Sequence, residues 1–330
     1  MNTFPWLQDT LNQWIEMTHK QRNPHAILLS GAKGIAKLEL AKKMAQIALC
    51  ENLTPTGSCQ QCSACHLYQV GNHTDLTVIK AEKTTIKVSQ IRQLTEKINL
   101  SATRTQYKVI IIENAEMMNK ASANALLKTL EEPPNKVIII LTCNDIGRLL
   151  ATIKSRCVKM NIAIPEHSIS YEWLKQQTDK QPSEIQLSLL LANGTPLQAK
   201  EILQNDTLAL VQSMLDDLQQ LQNNQTTVLE ISKHWFSNEL YENLPYIACY
   251  YLFLLKFNNG INTIQYSDGY NIDKSYSHII DLEDKILNFV SNINKFIKRS
   301  ETALKIQLLI EELLINWKND FHVIQKPLHV

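Results

Sequence analysis

The chain is predicted to be an α/β protein, with a doubly wound parallel sheet in its first half and helices through its second. Three observations carry this. Strand-length runs at 26–29, 75–80, 107–112 and 137–142 alternate with helix-like stretches, the pattern of βα units. The first run meets a small-residue loop, Ser30-Gly31-Ala32-Lys33-Gly34-Ile35-Ala36-Lys37, that opens into an amphipathic helix, the layout of a phosphate-binding loop. Glycine is scarce, at 8 residues, and the second half is rich in Leu, Ile, Gln and Asn, which favours helices there.

Length and charge set outer bounds. A chain of 330 residues accommodates two or three domains. Its 33 basic and 32 acidic residues leave a net charge of +1, so it is no polyelectrolyte glove for nucleic acid. The first nine residues lack a basic stretch followed by an apolar core, so a secretory signal is not expected. The most apolar segment, 244–257, contains Lys256 and is shorter than the roughly 20 residues a membrane helix needs. A cytoplasmic chain without a membrane role is expected, its seven cysteines serving as thiols or metal ligands.

Residues 4–22 read as one helix, with Leu7, Leu11, Trp14, Ile15 and Thr18 at three- and four-residue spacing. It delivers the chain to the strand at 26–29 and the phosphate loop. In such a loop, glycines turn backbone N–H groups inward, a lysine reaches the outer phosphates, and a following Ser or Thr places its hydroxyl on magnesium. Gly31, Gly34 and Lys37 are in register, but Ala36 replaces the glycine before the lysine and Leu38 replaces the hydroxyl. Leucine cannot coordinate a hard cation. The expectation is a nucleotide-site scaffold without its metal position, with Lys37 solvated or touching an anion. Taken alone, the stretch also suits a plain strand-to-helix turn with no nucleotide ancestry.

Cys50, Cys59, Cys62 and Cys65 follow that helix. Two interlocking two-residue spacings and one more distant cysteine gather four soft ligands, the set that zinc prefers in a closed structural site. No position is left for a reactive water. The metal should fold an excursion too poor in apolar residues to fold alone, while His66 and His73 are expected to be surface imidazoles. A redox pair or unliganded thiols are the alternatives.

Residues 89–99 read as an amphipathic helix, with Ile91, Leu94 and Ile98 on one face and Ser89 a candidate cap. The run from Tyr107 suits a strand buried on both faces. In a nucleotide hydrolase its carboxyl end carries an Asp for the metal shell and a Glu to orient water. Glu113 and Asn114 stand there instead, so the second catalytic position is altered too. Residues 119–132 form a strong helix stopped by Pro133-Pro134. The strand at 137–142 ends at Cys143-Asn144, where Asn144 would face a γ-phosphate if one were bound. Ser155-Arg156-Cys157 closes the domain; alone, this tripeptide signals no more than a surface arginine.

Together, the four cysteines, the run Asn124-Ala125-Leu126-Leu127-Lys128-Thr129-Leu130-Glu131-Glu132-Pro133-Pro134 and Ser155-Arg156-Cys157 resemble the clamp-loader family of AAA+ proteins in residue type and order. The resemblance covers roughly the first half. It implies an AAA+ α/β domain over 1–164 with the cysteine module at 50–65, a small helical lid over 165–205, and an all-α collar over 206–330. Motor subunits of the family carry Gly-Lys-Thr or Gly-Lys-Ser, an Asp-Glu pair and a lid arginine. This chain departs at Ala36, Leu38, Glu113, Asn114 and Leu197 while keeping Arg156.

The resemblance therefore implies a non-hydrolysing subunit, without productive Mg·ATP of its own, that presents Arg156 between Ser155 and Cys157 to a neighbour's ATP. Implied partners are the motor subunits (gamma/tau), the clamp-opening delta subunit and, through the assembly, the sliding clamp and primer–template DNA. The alternatives are a motor of the same family with a degenerate loop and a free-standing zinc-dependent nucleic-acid binder. The stripes Leu282-Ile286-Phe289-Val290-Ile293-Phe296-Ile297 and Leu304-Leu308-Leu309-Leu313-Leu314-Trp317 are expected to be core helix faces. Residues 246–257 are expected to form a buried central helix and 258–277 a loop.

Overall fold

The computed structural model describes residues 4–98, 105–259, 281–300 and 305–321. The chain divides into two compact units, Met1–Pro165 and Glu166–Val330. In the first, β1 (Ala26–Ser30), β2 (Leu76–Ile79), β3 (Lys108–Ile112), β4 (Val137–Cys143) and β5 (Val158–Asn161) form one five-stranded sheet. Its order is β2-β3-β4-β1-β5, and every pairing is parallel. Such connections need crossovers, here supplied by helices.

Both faces of the sheet are covered, which explains the unbroken apolar runs. On one face Ala26, Leu28, Ile110, Ile112, Ile139 and Leu141 share a core with α4 (Val88–Ile98) and α5 (Lys120–Glu131). Alternate residues Ile27, Leu29, Val109, Ile111, Ile138 and Ile140 are also buried, as period-two side-chain direction requires. α2 (Lys37–Ala48) packs against β3 and β4, and α1 (Gln8–His19) packs on α2. The Trp14 indole fixes that second layer by donating to the Met44 carbonyl at 2.9 Å.

The expected first helix is shorter than predicted, because a 3₁₀ turn at Pro5–Leu7 precedes α1. α4 begins at Val88, so Ser89 lies inside it. Gln90 Oε1 instead accepts the Lys87 N–H at 2.8 Å. Three short elements escaped the sequence reading: α3 (Ser63–Gln69), α6 (Ala151–Lys154) and β5. β5 has an exposed Val158 and a largely exposed set of side chains, so it has no apolar run to betray it.

The second unit is helical: α7 (His167–Lys175), α8 (Pro182–Leu191), α9 (Pro196–Gln204), α10 (Thr207–Gln222), α11 (Val228–Ser237), α12 (Leu244–Asn258) and the helices Leu282–Ser300 and Ile306–Phe321. Ile286, Phe289, Ile293 and Phe296 are buried as expected. On the last helix the buried face is Ile310, Leu313, Leu314, Trp317 and Phe321. Leu308, expected in that stripe, is 54% exposed, because it lies only two residues before Ile310 and so off the face that three- and four-residue spacing defines. Tyr251 of α12 is fully buried. It meets Phe289 at 5.0 Å and Phe321 at 5.7 Å between ring centroids, and its hydroxyl accepts the Trp317 indole N–H at 3.2 Å. The expected loop at 258–277 lies outside the described residues from 260 onward, as do Asn99 and Leu304. Among the described residues no helix is long and apolar enough to cross a membrane.

Candidate functional site: a closed phosphate loop, a cysteine cluster and an arginine

The phosphate-type loop joins β1 to α2 at the carboxyl edge of the sheet, where open α/β sheets hold ligands. Gly31 has φ 153°, and a Cβ there would lie 2.3 Å from the Ile162 carbonyl oxygen. This glycine is thus required by the close approach of the chain leaving β5. Gly34 has φ 85°. Ala36 adopts φ 66° and ψ 33°, so the backbone keeps a glycine-like shape where the side chain is no longer glycine.

Lys37 departs from its expected solvated state. It is buried at 5% exposure, and its ammonium donates to the Gly31 carbonyl at 2.8 Å, the Ala32 carbonyl at 2.6 Å and Asn144 Oδ1 at 2.7 Å. All three ammonium protons are therefore matched inside the protein. Burial lowers its pKa to about 8, against a smaller upward pull from Glu116. Asn144 in turn donates to Asn114 Oδ1 at 2.8 Å, and its backbone N–H donates to Glu116 Oε1 at 3.0 Å. Asn114 takes a left-handed conformation, φ 49°, and its N–H bonds Thr142 Oγ1 at 3.0 Å.

This network brings together Gly31, Lys37 and Asn144. It adds Glu116 and Asn114 and does not include Glu113, whose backbone N–H continues the sheet by bonding the Ile79 carbonyl at 2.9 Å. Glu116 was missed from the sequence because it follows a turn, four residues beyond the end of the strand at Ile112. Leu38 offers no hydroxyl beside the loop, at the position where magnesium-binding phosphate loops carry Ser or Thr.

The Sγ atoms of Cys50, Cys59, Cys62 and Cys65 all lie within 4.8 Å of one another. Tetrahedral zinc with bonds near 2.3 Å has ligand edges of about 3.8 Å, so the donor set fits a metal such as zinc. Each turn also aims a backbone N–H at a sulfur: Cys59 at Cys50 Sγ, 3.2 Å; Cys62 at Cys59 Sγ, 3.3 Å; Cys65 at Cys62 Sγ, 3.4 Å. The N–H groups of Gln61 and Cys62 hold the Cys59 thiol down to about 6, whereas burial raises Cys50 and Cys65. α3 carries Cys65, and Tyr68 ties it to α2 by donating to the Lys42 carbonyl at 2.7 Å.

Arg156 follows α6. Its Nη1 donates to the Thr152 carbonyl at 2.9 Å and to Ser155 Oγ at 3.4 Å, and its Nη2 meets Glu131 Oε1 at 2.5 Å. The Arg156 side chain is 32% exposed. Ser155 donates to the Thr152 carbonyl at 3.0 Å, while Cys157 is buried in the sheet core, its thiol pushed up to about 11 by burial. The arginine thus sits at the surface between two anchored neighbours.

A parallel sheet of this order with a phosphate-type loop at its carboxyl edge defines an AAA+-like α/β protein, here carrying four clustered thiols and an arginine after the last strand's lead-in helix. The family model described as "DNA polymerase III, delta subunit" matches residues 6–166. The DNA polymerase III subunit delta' of Yersinia pestis is 32% identical over 267 residues, covering 79% of this chain and 78% of that one. The Pseudomonas aeruginosa delta' subunit is 30% identical over 325 residues, covering 95% and 97%. The chain belongs to the DNA polymerase III delta-prime subunit family of replication clamp loaders. A gamma-subunit-related protein of Thermotoga maritima has a similar structure, with TM-score 0.48 and 18% identity over 96% of this chain and 99% of that one.

Proposed function

We propose that this chain is the non-hydrolysing member of its clamp loader, helping to set the sliding clamp on primed DNA and supplying Arg156 in trans to a neighbouring motor subunit's ATP. The observation that carries this is the state of Lys37: its ammonium is held by two loop carbonyls and Asn144, beside a leucine where a magnesium ligand belongs. A triphosphate would have to break those bonds and would find no hydroxyl for its metal. Arg156, by contrast, is partly exposed. An arginine supplied in trans stabilises charge on the transferred phosphoryl oxygens, a 10³ to 10⁵-fold effect in related chemistry.

Under this reading the gamma/tau motors and the delta subunit are the direct partners, and clamp and DNA are reached through the assembly. Residues 165–205 act as the lid and 206–330 as the collar. The four cysteines hold zinc, which fixes the 50–65 excursion. Arg156→Ala should fold and assemble yet lower ATP hydrolysis by the reconstituted complex. An unchanged rate rejects the role of Arg156, and magnesium-dependent turnover by the purified chain, lost in Lys37→Ala, rejects the non-hydrolysing reading.

A further inference from the structure

Glu131 is the last residue of α5, where the following Glu132-Pro133-Pro134 stops the helix. A carboxylate there lies at the wrong end of the helix dipole, and Glu132 adds a second negative charge. Local helix chemistry gives no reason for it. The reason visible in the fold is Arg156, whose Nη2 meets Glu131 Oε1.

The other acceptors of that guanidinium, the Thr152 carbonyl and Ser155 Oγ, come from its own four-residue helix and turn. Glu131 is the acceptor that comes from a separate, long element of the sheet core. We propose that Glu131 is a positioning residue for Arg156, bracing the guanidinium on α5 so that it is presented in a restricted set of orientations. The proposal rests on the reading that Arg156 serves a neighbour's ATP. An arginine arm has several freely rotating bonds, and its planar fork loses less freedom on binding when one edge is already held. Five N–H donors are available, so one edge can stay on the carboxylate while another meets phosphate oxygen. The brace also ties together the Leu-Glu-Glu-Pro-Pro and Ser-Arg-Cys segments, which lie far apart in sequence.

The test uses the reconstituted clamp loader, with ATP turnover measured across ATP concentration for wild type, Glu131→Ala, Glu131→Gln, Arg156→Ala and the Glu131→Ala/Arg156→Ala pair. Glu131→Ala should lower kcat roughly three- to tenfold with KM unchanged. Glu131→Gln keeps the shape and one acceptor oxygen, so it should recover part of the loss and also answers the question should the alanine variant fail to fold. On the Arg156→Ala background, removing Glu131 should change nothing further. If Arg156→Ala lowers turnover while both Glu131 variants match or exceed wild type, the brace is refuted. An equal further loss on the Arg156→Ala background refutes it as well, by showing a general structural role. If Arg156→Ala itself leaves turnover unchanged, the trans-arginine reading fails first and takes the brace with it.

Discussion

Single residues in the phosphate-type loop show how its backbone shape is kept where the side chains have changed. Ala36 holds a left-handed backbone that disfavours any residue with a Cβ by roughly 1–2 kcal/mol. Ala36→Gly relieves that strain but adds freedom to the unfolded chain, worth about 0.4–1 kcal/mol. The net expectation is a gain of about 0.5–1 kcal/mol, read as a higher urea midpoint with an unchanged slope, and no ATPase activity, because Leu38 and the tied Lys37 remain. Lys37 gives a pH signature. Its folded value of about 8 lies below the ordinary 10.5, so below pH 8 the ammonium is charged in both states and the penalty for burying it is fully present. Between about pH 8 and 10.5 the unfolded chain binds more protons, so stability should rise with pH through that window. Urea unfolding of wild type and Lys37→Met across this range tests it: the wild-type stability should climb relative to the variant, and parallel curves would exclude a depressed lysine.

At the scale of elements, β1, β3 and β4 were legible because each is an apolar run buried on both faces, the half-buried edge strand β2 because its short run at 75–80 stands between helix-like stretches, and α5 because its caps are written at both ends, Asn119 Oδ1 accepting the Ser122 N–H at 2.8 Å and Pro133 following the stop. β5, α3 and α6 were not, being too short or too exposed for periodicity to register. The cysteine ligand set could be read from spacing alone, whereas the Lys37–Asn144–Asn114 network and the Glu131–Arg156 pair could not. They join residues 107, 30 and 25 positions apart, and nothing local marks their partners. Within the cysteine module, buried residues other than Cys62 and Cys65 amount to little more than Ala64, so on the proposed reading thiolate–metal bonds would supply most of the local stability, about 10–16 kcal/mol for zinc in small peptides. Cys62→Ser should lose the metal by elemental analysis and open residues 50–65 to hydrogen exchange, while protection of β1, β3 and β4 stays near wild type. Sheet protection that collapses together with the module would show that the metal supports the whole unit.

For the whole molecule, charge separates a subunit that reaches DNA through its assembly from one that binds DNA by itself. Binding driven by phosphate neutralisation releases counterions, and its affinity falls with salt at a slope near 0.9 per phosphate contacted. A chain with 33 basic and 32 acidic residues has no surplus to sustain many such contacts, and parts of its basic set are already paired, as Lys42 with Glu39, Arg156 with Glu131 and Arg299 with Glu312. The isolated chain should therefore show only non-specific affinity for a primed duplex near physiological salt, about 10⁻⁴ M or weaker, with a shallow slope. Fluorescence anisotropy of a labelled primer–template between 50 and 200 mM salt measures both quantities. The same titration with the reconstituted complex and ATP should give tight binding, because the other subunits then contribute their surfaces. Micromolar binding by the lone chain with a slope steeper than about four would instead identify it as a nucleic-acid binder in its own right, and loss of that binding in Cys62→Ser would place the cysteine module at the contact.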